Sequence, residues 1–138
     1  MNTKLFVLIL ALIALSQSWS SYNRIKGNYN SIGRHSFGNT IGGSFNKLKG
    51  RGNGVFGNGN GVFGNGNGVF GNNNGVFGSG NGIKGNSNLV HGNGNGVFGN
   101  HNGVFGNGNG VFGSGNGIKG NSNLVHGHGN SIGFWWFH

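Results

Sequence analysis

The chain has 138 residues, of which 35 are Gly; it holds no Pro, Cys, Asp or Glu, and nine Lys plus Arg give a formal charge of +9. Without carboxylates or thiols, carboxylate acid–base catalysis, a Ser/His/Asp triad, a glycosidase pair, disulfides and iron–sulfur ligation are excluded. At 33% hydrophobic residues, neither a conventional globular core nor an enzyme is expected.

Residues 1–20 have the layout of a secretory signal peptide. Lys4 supplies the cationic head, and an apolar run from Leu5 to Leu15 follows. The polar exit Ser16-Gln-Ser-Trp-Ser20 places cleavage near Ser18, Ser20 or Ser21. The run is short of the ~20 residues that span a bilayer, so no stable membrane span is expected. The reading is therefore a secreted, extracellular protein without structural staples. No Asn-x-Ser/Thr sequon accompanies the many Asn residues, so N-glycosylation is not expected.

Residues 21–49 form a basic leader with degenerate repeats. Six cations lie in or just after it: Arg24, Lys26, Arg34, Lys47, Lys49 and Arg51. Such a cluster suits an anionic surface or an acidic polysaccharide, or keeps a sticky repeat dispersed. It shows no basic amphipathic helix of the kind that disrupts membranes. Nucleic-acid binding is not expected of a secreted chain.

A seven-residue repeat dominates the rest. From Ser36 to Gly133 the chain divides without a gap into fourteen units, typified by Gly57-Asn-Gly-Asn-Gly-Val-Phe63. Position four is Asn in every unit, including Asn60, Asn67 and Asn74, and position six is always aliphatic, as at Val62, Val69, Val76, Val97, Val104 and Val111. Position one is Gly except at Ser36. Two looser units, 20–26 and 27–33, precede the array and are separated from it by Arg34-His35. A longer block, Gly78 to His91, recurs unchanged at Gly113 to His126, five heptads on.

One aliphatic per heptad does not make a coiled-coil seam, and this much Gly opposes any helix. Asn-x-aliphatic alternates with period two, which puts both side chains on one face of a short strand. The following Gly permits the positive φ of a tight corner. The fold class expected is therefore all-β, a β-solenoid or β-roll with two heptads per coil. Asn amides and aliphatics would form ladders inside it. A core this thin suggests that order is coupled to assembly.

Phrased as x-x-Asn-x-Val-x-Gly, as in Asn58-Gly-Asn60-Gly-Val62-Phe-Gly64, the unit resembles the repeat of the ryegrass-type antifreeze proteins that inhibit ice recrystallisation. That resemblance covers about 36–133 and implies a two-sided β-roll with Asn and Val inside and ice as the partner. Those proteins tend to carry Thr, Ser and other small polar residues at the outward positions, where this chain has Gly and Phe.

With two heptads per coil, Phe56, Phe70, Phe98 and Phe112 would line one face around Lys84. Phe63, Phe77 and Phe105 would line the other, with His91 and Lys119. Exposed aromatic rows mark an interaction surface, and self-association is the expected partner relation. The aromatic tail 134–138 would cap the last coil or act as a sticky end. His126, His128 and His138 lack orienting carboxylates, so no metal or other cofactor is expected. Three functions follow in order: a self-associating structural protein of a matrix or coating, an ice-binding protein, and a glycine-rich cationic antimicrobial protein.

Overall fold

Two or three consecutive residues per heptad are extended in the computed structural model, which describes residues 22–133. The expected signal segment 1–20 and the tail 134–138 lie outside the described residues. The strands are β1 (Arg24–Lys26), β2 (Ser31–Ile32), β3 (Thr40–Gly42), β4 (Lys47–Lys49), β5 (Gly54–Phe56), β6 (Gly61–Phe63), β7 (Gly68–Phe70) and β8 (Gly75–Phe77). They continue as β9 (Gly82–Lys84), β10 (Leu89–His91), β11 (Gly96–Phe98), β12 (Gly103–Phe105), β13 (Gly110–Phe112), β14 (Gly117–Lys119), β15 (Leu124–His126) and β16 (Ser131–Ile132). Odd-numbered strands form one eight-stranded parallel sheet and even-numbered strands the other. Residues 22–133 form an all-β solenoid with two heptads per coil.

The eighth coil comes from the leader. β1 pairs with β3 and β2 with β4, so the two looser units are the first turn of the same solenoid rather than a separate segment. The inserted Arg34-His35 is accommodated at a corner, with His35 at φ 62°. Across it the repeat lengthens, and Asn39 and Asn46 bond to Asn23 and Asn30, sixteen residues back instead of fourteen.

Between the sheets lies a core one side chain thick. Thirteen aliphatics from Ile41 to Val125 are buried, with Ile32 and Ile132 packed at its ends. Register places Val on Val, as in Val55 against Val69 and Val62 against Val76. Beside this row runs a second, polar one. Asn39 and every fourth-position Asn through Asn116 is buried. Asn74 shows the bonding: its backbone N–H and Nδ2 both donate to Oδ1 of Asn60, at 3.0 and 3.1 Å, and Nδ2 also donates to the Gly85 carbonyl at 2.8 Å. Its own Oδ1 accepts the same pair from Asn88. Among the described residues no buried side-chain polar atom lacks a partner.

Two corner positions depend on backbone freedom. Position one, as at Gly57 with φ 129°, brings successive coils so close that a Cβ would overlap the carbonyl oxygen of Gly71. Position three is left-handed throughout, as at Gly66 (φ 63°), and where Gly is absent Phe45, Asn73, Ser87, His101 and Ser122 adopt φ 56–60°.

Replacing Asn74 by Ala should cost about 3 kcal/mol or more, because it strands the Asn88 donors and the Gly85 carbonyl in a dry interior. The shift of the urea unfolding midpoint measures it, with the exposed Asn72→Ala as reference at about 1 kcal/mol or less. Gly66→Ala meets open space and should cost about 1–2 kcal/mol of left-handed strain. Gly57→Ala should cost far more, since the backbone of the next coil stands in its way.

Candidate functional site

Position seven points away from the core on the strands that carry a side chain there, so each sheet carries one axial row of these side chains. On the odd sheet the row is Phe56, Phe70, Lys84, Phe98, Phe112, His126. On the even sheet it is Lys49, Phe63, Phe77, His91, Phe105, Lys119. Exposure runs from 38% at Phe112 to 53% at Phe70, with Phe63 a little more covered than the others. The rings are offset-stacked along the axis. Phe56–Phe70, Phe63–Phe77 and Phe98–Phe112 have centroids 5.2, 5.3 and 5.2 Å apart and planes within 10° of parallel. His126 continues one stack, 4.8 Å from Phe112, and His91 meets Phe77 and Phe105 edge-on at 6.4 Å.

Each ring also lies over the Gly two residues before it. A Cβ on Gly54, Gly61, Gly68, Gly75, Gly96, Gly103 or Gly110 would stand 3.6–3.8 Å from the ring edge of the Phe on its own strand. Any side chain longer than Ala there would push the ring aside. Position five is accordingly Gly in all seven units whose position seven is Phe. The result is a low apolar strip, with Leu89 and Leu124 adding to it over Gly75 and Gly110.

Asn60, Asn67, Asn74 and the six valines Val62, Val69, Val76, Val97, Val104 and Val111 are all buried in the ladders. Arg24, Lys26, Lys47, Lys49, Arg34 and Arg51 are exposed around the first coils, on both sheets and one corner. Register sets no two of the strand cations against each other. Arg24 lies beside Thr40, Lys26 beside Gly42, Lys47 between Ser31 and Gly61, and Lys84 between Phe70 and Phe98. Among the described residues no three metal-ligating side chains come together, and no helix is long and apolar enough to cross a membrane.

Sequence reasoning missed a second ladder at the corners, built from position two. The Asn72 N–H and Nδ2 donate to Oδ1 of Asn86, whose N–H and Nδ2 donate to Oδ1 of Asn100. Ser79 and Ser114 stand in for Asn in such rows, and His128 ends one by accepting the Ser114 N–H at Nδ1. The signal was present: eleven of the fourteen second positions are Asn or Ser.

No protein-family model matches the chain, and no curated protein matches its sequence.

Phe77→Ser should cost the isolated chain about 2–3 kcal/mol, from the covered half of the ring and its stacking on Phe63, without opening the core. Thermal unfolding monitored by circular dichroism at high dilution checks this. A loss of all β signal would mean that the Phe rows hold the solenoid together.

Proposed function

We propose that this is a secreted, non-enzymatic structural protein of an extracellular matrix or coating, whose copies associate through the aromatic faces. The observation that carries the reading is a Phe-rich row on each of two opposite faces, with stacked Phe pairs interrupted by Lys84 on one and by His91 on the other. A soluble monomer rarely displays one such exposed aromatic row, and two on opposite sides leave any one-to-one contact unsaturated. Identical side chains at coil spacing suit interdigitation between copies, as in packed β-sheets. The cations at the first coils disfavour contacts that bring two such ends together, which favours antiparallel over parallel stacking of the faces.

Replacing Phe56, Phe70, Phe98 and Phe112 by Ser should leave pairs joined through the even face. Replacing Phe63, Phe77 and Phe105 as well should leave monomers with the same circular dichroism. Light scattering and analytical ultracentrifugation distinguish these states. Assembly that survives both sets of changes would defeat the reading.

The two-sided roll with Asn and Val inside favours a second reading, an ice-recrystallisation inhibitor, since a rigid repeating face is the prerequisite for matching a crystal. Annealed ice that coarsens at its normal rate with micromolar protein present would exclude it.

A further inference from the structure

The solenoid core is covered along its length but open at its first coil. Ile41 in the second coil is 1% exposed, whereas Ile25, its register partner in the first, is 52% exposed. Ile25 and Ile32 floor a cleft of about 830 Å³, with Asn23, Arg34, Phe37 and Arg51 on its walls. No Asp or Glu side chain can pair with the two guanidinium groups, because the sequence has none. An apolar floor with Arg walls suits a flat aromatic group, and Trp is the ring on which Arg stacks best.

One segment carries adjacent Trp residues: Phe134-Trp135-Trp136-Phe137, directly after the last described coil. It cannot fill the cleft of its own chain. Trp136 is three residues past Gly133 and reaches about 11 Å at most. Seven coil steps separate the last coil from the first, about 33 Å at ~4.7 Å each. We propose that the aromatic segment of one copy docks in the first-coil cleft of a second copy, Arg34 and Arg51 stacking on its Trp rings, so that copies also join end to end.

Charge sets the polarity of this link. Head-to-head contact would oppose two clusters of six cations, whereas the last described coils bring a single Lys, Lys119, toward that cluster. A head-to-tail contact is heterologous, and repeated along the solenoid axis it yields a filament rather than a closed ring. The link uses neither Phe row, so it stands on a different surface from lateral stacking.

The test titrates a fluorescein-labelled peptide of residues 133–138 into dilute full chain, read by anisotropy. Saturable binding is expected. It should weaken about tenfold in the Arg34→Ala, Arg51→Ala double variant, and disappear when both Trp of the peptide are Ala. Both Arg are exposed, so unchanged circular dichroism in the double variant separates docking from folding. Phe63→Ser with Phe77→Ser should leave peptide binding intact while weakening lateral assembly, which tells failure of this contact from failure of the stacking one. An unbound peptide, or binding indifferent to the Arg pair, would overturn the proposal. A cleft filled by residues 1–21 of the same chain would leave the peptide unbound and overturn it too.

Discussion

The buried Asn ladder is the interaction on which the rest of this molecule depends. A coil of fourteen residues turns so sharply that corner carbonyls, such as that of Gly85, face inward with no strand to bond them. A side chain there must donate to that carbonyl, donate to the coil before and accept from the coil after. Asn does all three within the span of one side chain. Asp lacks the donors and would stack like charges in a dry interior. Gln is a methylene too long for the coil spacing, and Ser has one hydrogen to give. The aliphatic row excludes water from this ladder, and the ladder in turn fixes the spacing at which the aliphatics meet.

The inner and outer ladders run in opposite senses. Inner amides donate toward the first coil, as Asn74 does to Asn60, while outer ones donate toward the last, as Asn72 does to Asn86. Their dipoles therefore oppose one another along the axis. Both ladders restrict charge in the same way, because any residue type that recurs at one position faces itself in the next coil. Cations survive only where register gives them a neutral neighbour, as Lys84 has in Phe70 and Phe98. A single stacked pair of like charges would oppose the association of coils that holds the fold together.

Much of this was legible in the sequence because a solenoid writes its contacts as a period. The constancy of Asn and of the aliphatic located the interior, and the two-heptad coil sorted Phe56 from Phe63 onto opposite sheets. Less legible were features that constrain pairs of positions or backbone angles. The Gly at position five is tied to the Phe at position seven through a ring that folds back, which single-position reading overlooks. Left-handed position three is hidden because Phe45, Ser87 and His101 occupy it as well as Gly, at a local cost of about 1–2 kcal/mol each. Phe45 recovers some of this by stacking on Tyr29 at 5.0 Å. The first coil was obscured by Arg34-His35, which breaks the period without breaking the register.

The duplicated block bears on how the faces are used. Gly78–His91 and Gly113–His126 are 35 residues apart, five heptads or two and a half coils. An odd number of heptads rotates the copy by half a turn, so Lys84 lies on the odd sheet and its duplicate Lys119 on the even one. His91 and His126 are exchanged likewise. A repeat that grows by single heptads transfers every later residue to the opposite face at each step. A function confined to one face would be destroyed by such a step, whereas one served equally by both survives it. The similarity of the two aromatic rows is what that constraint requires.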